Sequence, residues 1–273
     1  MTDYSRYEYI KVEKADKLAT VTLNRPDALN AIHPPLHLEL ERIWVDLAED
    51  PEVNAILLTG AGKAFCVGGD VKGMSGGNRD KKDDGQPRQW SLALTMAGAK
   101  RLIHNILAVE QPIIGAINGD AVGLGATIAL FCDVIVASEK ARFGDPHVRV
   151  GIVAGDGGAV IWPLLIGPAR AKEFLMRGNL VNGTEAAKMG LVNYAVPPEE
   201  LLAKAQALAQ ELADGPTWAI RWSKVSVNKW LRDQVNAILD TSLAYEMLTF
   251  TTEDHKEAAR AFVEKRKPKF QGR

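Results

Sequence analysis

Segments 8–14 (EYIKVEK) and 17–24 (KLATVTLN) are short mixed runs of apolar and polar residues, and a short turn at Ala15-Asp16 separates them. This pattern predicts two short strands joined as a hairpin. After a loop at Asn24-Arg25-Pro26 the period lengthens. In PPLHLELERIWVDLAED, Leu36, Leu40, Ile43 and Leu47 recur on one helical face, so a helix is expected there. Residues 54–60 (NAILLTG) form an unbroken apolar run of strand length, the signature of a strand covered on both faces in a parallel sheet. A second such run, PIIGAIN at 112–118, follows a helix expected over 91–107. Next come the loop GDAVGLG, a helix over ATIALF and a strand over DVIVAS. Strand, glycine loop and helix, twice over, predict an α/β fold with parallel pairing. Beyond about residue 200 the segments ELLAKAQALAQELA, WAIRWSKVSVNKWLRDQVNAILDTSLAYEML and EDHKEAARAFVEKR are helical and amphipathic with no strand between them. The expected division is an α/β core over 1–195 and a helical region over 196–273. Residues 75–90 (SGGNRDKKDDGQPRQW) are nearly devoid of apolar side chains and read as an excursion from the core.

The totals narrow the classes of function. A chain of 273 residues with 47% hydrophobic side chains can bury a large core. A formal charge of −1 gives no electrostatic case for nucleic acid or an anionic membrane as a main partner. Cys66 and Cys132 each sit in an apolar run without metal-ligand or disulfide-framework spacing, as buried thiols of a reducing compartment would. The polar N-terminal stretch has neither an apolar signal core nor an arginine-rich transit pattern, and no apolar run approaches the ~20 residues that span a bilayer. A soluble, cytoplasmic protein is expected, with no metal.

Two glycine loops carry the candidate chemistry. Each follows a buried strand and leads toward a helix, where backbone N–H groups are free to meet a ligand. GAGKAFCVGG lacks the GxGxxG spacing and no GK[ST] element occurs, so neither loop reads as a phosphate cradle. Two loops donating one N–H each suit an oxygen that gains negative charge during a reaction.

LNRPDALNAI (23–32), GAGKAFCVGGDVKGM (60–74) and IGAINGDAVGLGATIALFCDVIVASEKARFG (114–144) resemble the enoyl-CoA hydratase/isomerase, or crotonase, superfamily. The similarity continues through GDGG, GLVNYAV and AFVEKRKPKF, and so covers nearly the whole chain. The resemblance implies a spiral of β-β-α units with two roughly perpendicular sheets, a helical C-terminal region, and a homotrimer or dimer of trimers. It implies acyl-CoA thioester substrates and no permanently bound cofactor, CoA arriving as part of the substrate. The oxyanion donors fall at Gly69 and Leu124, the second a place where the family commonly has glycine. The CoA-binding positions fall at Lys63, Cys66, Val67, Gly68 and Lys72, and at Lys269 and Phe270 of the basic tail.

The family's hydratases use two glutamates, and this chain has neither: the matching positions hold Thr127 and His147. His147 lies nine residues before Asp156 in FGDPHVRVGIVAGDGG. An imidazole there can take a proton from water or a substrate carbon, provided a partner fixes its tautomer. Asp156 is the expected partner; Asp145, before Pro146, is expected to serve the turn. The pair resembles the superfamily branch that hydrolyses carbon–carbon bonds in β-diketones, which also has a glutamate in the region of Glu246. Independently, Glu246 shares a helical face with Leu239, Leu243 and Phe250, either as an ion-pair partner between helices or as a site residue. The expected activity is therefore water activation at an acyl-CoA thioester by His147-Asp156, for hydration or C–C cleavage. The alternatives are a CoA-independent β-diketone hydrolase and a catalytically degenerate CoA-binding protein. His33, His37, His104 and His255 are expected at the surface or in packing.

Overall fold

A computed structural model describes residues 2–70 and 88–273; Lys72 and residues 75–87 of the polar stretch lie outside the described residues. The fold is α/β with two sheets. The larger has strand order β1 (Ile10–Ala15), β2 (Leu18–Leu23), β3 (Ala55–Gly60), β4 (Ile113–Ile117), β6 (Val134–Ser138), β9 (Tyr194–Val196). Only β1 and β2 pair antiparallel, as the hairpin; every later pairing in this sheet is parallel. The second sheet joins β5 (Ala121–Val122), β7 (Arg142–Gly144) and β8 (Leu180–Asn182). Its strands are two or three residues long, too short to show a period, and lie outside the elements expected from the pattern.

Side chains of the central strands divide between two cores by simple alternation. Ile56, Leu58, Ile113, Ile117 and Ile135 point into the main core with helices α1 (Pro34–Glu49) and α2 (Arg88–Ala108). Leu57, Ile114, Ala116 and Val136 point the other way, toward α7 (Leu201–Asp214). That helix presents Leu201, Ala205, Ala209 and Ala213 at every fourth position, a face nearly free of bulk that lies directly on the sheet. The continuous apolar runs are thus explained: both faces of these strands are buried.

Short helices α3 (Leu124–Leu130), α4 (Gly158–Ile166), α5 (Pro168–Arg177) and α6 (Gly183–Lys188) connect the strands of the second half. The C-terminal region is α7, then the 33-residue α8 (Thr217–Thr249), then α9 (Glu253–Val263). Helix α8 contributes Val235, Leu239 and Leu243 to the main core, and Lys224 anchors it to the sheet by an ion pair to Asp133 at 2.6 Å. No helix among the described residues is long and apolar enough to cross a membrane.

Candidate active site

The glycine loop after β3 is tied down by hydrogen bonds. Asn30, fully buried and left-handed at φ 56°, donates its amide to the carbonyls of Ala61, Ala64 and Phe65 at 2.9, 2.9 and 3.0 Å. One side chain thereby fixes the loop after β3. Further along, Ile32 N–H donates to Gly68 O and Asp70 N–H to Ile32 O, a bridge that leaves the intervening Gly69 N–H without an acceptor among the described residues. Leu124 opens α3, where the first amides of a helix have no partner inside it. The backbone turn is taken one residue earlier, by Gly123 at φ 56°, and Leu124 itself is not left-handed. Leucine at this place is therefore unstrained. The two loops meet: Gly68 Cα approaches Gly123, and a Cβ on Gly68 would stand 3.4 Å from Leu124 N.

His147 lies against this junction. A Cβ on Gly123 would sit 3.4 Å from its Cε1 and 3.7 Å from its Nε2. The imidazole begins a short 3-10 turn, His147–Val150, immediately after β7 and Pro146. Its Nδ1–H donates to Asp145 Oδ1. Nε2 faces Asp156 Oδ2 at 3.7 Å, an ion-pair distance beyond a direct hydrogen bond. The expected pairing is thus corrected in part. Asp145, assigned to the turn from sequence, holds the ring, because Pro146 folds the chain back and sets the carboxylate beside Nδ1. Asp156 stands on the opposite nitrogen.

Thr127 and Glu246 complete the group. Thr127 Oγ1–H donates to Asp156 Oδ1 at 3.3 Å, so the residue in the place of a family glutamate holds the aspartate instead. Glu246 reaches the site from α8, which packs on the loop carrying Asp156. Ser242 Oγ donates to Gly155 O at 2.8 Å, and a Cβ on Gly155 would be 2.7 Å from Glu246 Oε2. That oxygen is buried with no hydrogen-bond partner among the described residues. Glu246 therefore stands beside these side chains, and among the described residues it makes no ion pair between helices. Asp145, His147 and Asp156 offer ligand atoms within 4.8 Å of one another. The two carboxylates stand on opposite ring nitrogens.

Three carboxylates around one imidazole decide who holds the protons. Burial disfavours a charged His147, but Asp145 and then Asp156 outweigh it and raise the imidazole to about 10. Burial pushes Asp156 up to about 6, against the opposing pull of His147. Burial and then the negative charge of Asp156 push Glu246 up to about 8. These shifts favour the charged form of His147 and the protonated form of Glu246. An ionised carboxylate and a protonated carboxyl stand ready together.

The remaining candidate positions are not gathered here. Lys63 is exposed on the loop after β3. Cys66 uses its N–H on Asp120 O and its carbonyl on Val122 N–H, and Val67 N–H goes to Leu29 O. The first two hold the loop against β5 and the residue before it, and the third ties it to Leu29. The basic tail lies along α9: Lys269 N–H donates to Glu257, and the amides of Gln271 and Gly272 to Asp254. Phe270 is half exposed. The remaining histidines have packing roles. His33 meets the Tyr9 ring edge-on, His37 pairs with Glu41, and His255 bonds Val150 O and meets Phe250 edge-on. His104 is partly buried on α2.

The enoyl-CoA hydratase/isomerase family model matches residues 13–273. A crotonyl-CoA hydratase of Syntrophomonas wolfei is 35% identical over 265 residues, covering 97% of this chain and 98% of the relative. A short-chain-enoyl-CoA hydratase of Clostridium acetobutylicum is 36% identical over 261 residues, covering 94% and 95%. A solved enoyl-CoA hydratase/isomerase from Mycobacterium paratuberculosis superposes with a TM-score of 0.83 at 34% identity, over 94% of this chain and 99% of the other. A match over almost the full length in sequence, together with the same arrangement of sheets and C-terminal helices, shows that the chain belongs to the enoyl-CoA hydratase/isomerase family.

Proposed function

We propose that this protein adds water to acyl-CoA thioesters, using an imidazolium–carboxylate group in place of two glutamates. The observation that carries the reading is the position of His147: its Cε1–Nε2 edge lies against Gly123, the residue just before Leu124 at the start of α3. A thioester oxygen held by Gly69 and Leu124 N–H would bring the carbons next to it toward Nε2 and Asp156. In the hydration of an enoyl-CoA, water attacks the β-carbon and its proton passes to the Asp156 carboxylate. The electron pair of the double bond moves onto the thioester as an enolate, held by the two N–H groups. Nε2–H of His147, or the protonated Glu246, then delivers a proton to the α-carbon. No resident cofactor enters these steps.

The same residues support hydrolytic cleavage of a β-ketoacyl-CoA. Thr127 is engaged on Asp156, so the site offers one imidazole-centred group where hydration commonly uses a pair of glutamates. Water would attack the ketone and lose its proton to Asp156. Collapse of the resulting alkoxide breaks the C–C bond and sends its electrons into the thioester enolate, which His147 protonates. Lys63, Lys72 and the tail residues Lys269 and Phe270 favour a CoA ester over a free diketone. In a homotrimer or dimer of trimers the tail would reach a neighbouring subunit's nucleotide site together with the backbone around Cys66, Val67 and Gly68.

Mass spectrometry in ¹⁸O-labelled water tests both reactions. Wild type and His147→Ala are incubated with enoyl-CoAs, β-ketoacyl-CoAs and cyclic diketones. The expected result is label entering one CoA class with wild type and at least a hundredfold slower with the variant, on the order of a lost acid–base group. Label entering only the diketones would replace this reading with the CoA-independent hydrolase. Tight CoA binding with no turnover of any compound would replace it with the degenerate binding protein.

A further inference from the structure

The proposed reaction needs His147 in one orientation, with Nδ1 keeping its proton once Nε2 has given its own, and the residue that secures both is not the expected Asp156. We infer that Asp145 is a positioning residue for His147, keeping the proton on Nδ1 and presenting Nε2 to Asp156 and the oxyanion loop. This assignment deepens the water-adding reading and rests on it for its catalytic meaning.

Four observations support it. Asp145 is 0% exposed, and its Oδ1 accepts from His147 Nδ1–H. Its other oxygen, Oδ2, is buried with no hydrogen-bond partner among the described residues. A carboxylate in that condition is costly unless a positive charge offsets it, and the imidazolium is the cation that touches it. Third, the protein leaves room for this carboxylate at one specific place. A Cβ on Gly158, the first residue of α4, would fall well inside van der Waals contact of Asp145 Oδ2. The last glycine of the GDGG sequence thus leaves the space that the Asp145 carboxylate fills. Fourth, the charged groups facing the ring come from three directions: Asp145 at the end of β7, Asp156 before α4 and Glu246 on α8. Of these, Asp145 is the one hydrogen-bonded to the ring. A carboxylate on Nδ1 dictates that a neutral imidazole carries its proton there, which leaves Nε2 as the lone-pair nitrogen. Without it the neutral ring can take either tautomer, and the reactive nitrogen is wrong for part of the time.

The test uses full-length protein labelled with ¹⁵N-histidine and needs no substrate. The chain has five histidines, and His147→Gln assigns the resonances of interest. On titration to alkaline pH, wild-type His147 should lose its Nε2 proton and keep the one on Nδ1. Asp145→Asn should lower the titration midpoint by at least one pH unit and move the remaining proton to Nε2, because the amide can donate to Nδ1. Gly158→Ala keeps every charge and should shift the same resonances in the same direction by displacing Asp145; it also serves if Asp145→Asn fails to fold. Asp156→Asn should leave the Nδ1 proton in place. If Asp156→Asn moves the Nδ1 proton, or if Asp145→Asn and Gly158→Ala both leave it unmoved, the assignment is overturned.

Turnover separates this inference from the proposed function. With the substrate found by ¹⁸O labelling, Asp145→Asn should lower kcat on the order of 10²-fold with KM little changed, since the carboxylate acts through His147. Unchanged kcat in Asp145→Asn would overturn the positioning role while leaving the water-adding reaction in place. The Nδ1 signature in a protein that turns over nothing would uphold the tautomer and remove the reaction.

Discussion

At the scale of single residues, the site concentrates charge that the fold must stabilise, and pH should reveal it. Glu246 is buried, bears an unpartnered oxygen and is raised from its ordinary 4.5 to about 8. A carboxyl raised in the folded state binds its proton more tightly there than in the unfolded chain. Its contribution to stability therefore declines as pH climbs from about 4.5 through 8. Glu246→Gln removes that decline, so the variant should gain on wild type across this window by on the order of 3 kcal/mol. Urea unfolding at pH 5 and pH 8 measures the gap; a difference between variant and wild type that does not change with pH would contradict the assignment. Asp145 shows how a residue escapes sequence reading at this scale. Its role depends on a two-residue reversal through Pro146 and on an absent side chain at Gly158, thirteen positions on in sequence. Asp two residues before a histidine, with a double glycine further along, is a signal that could have raised it. The same pattern serves ordinary turns far more often.

At the scale of elements, legibility followed length. The hairpin, the two continuous apolar strands and the long C-terminal helices carry enough periods for the pattern to specify them. Helix α7 shows how such a pattern becomes packing. Its alanines at 205, 209 and 213 form a flat face against Leu57, Ile114 and Val136. Ala209→Leu would force extra methyl groups into that contact and should cost about 1–3 kcal/mol, lowering the melting temperature by several degrees in a thermal scan. An unchanged melting temperature would mean that α7 does not lie flat on the sheet. Strands β5, β7 and β8 were not legible, for each is three residues or fewer and is specified by its partners. They nevertheless place the site: β5 leads into Gly123, and β7 ends at Asp145.

At the scale of the molecule, the helical C-terminal region packs on the loop carrying Asp156 and also exposes apolar surface. Trp218, Trp222 and Trp230 on α8 are 59, 59 and 55% exposed, which supports burial between copies in the proposed trimer. Light scattering at micromolar concentration should give a mass of three or six chains, and Trp218→Glu with Trp222→Glu should shift it toward the 29.7 kDa monomer. A monomer in the wild type would exclude a tail that reaches the nucleotide from a neighbour.

The sequence by itself determined the parallel α/β plan and the positions of the two glycine loops, and its motifs pointed to the family. Local periodicity and glycine placement encode those features within short stretches of chain. It also brought His147, Asp156 and Glu246 forward as candidates, and the fold places all three together. Only the tertiary structure decided which carboxylate lies on which nitrogen, that Thr127 holds Asp156, and which group carries a proton. These depend on burial and on charges that meet from β7, the loop before α4, and α8. Such sums of distant contributions leave no period or spacing in the chain for a reader to find.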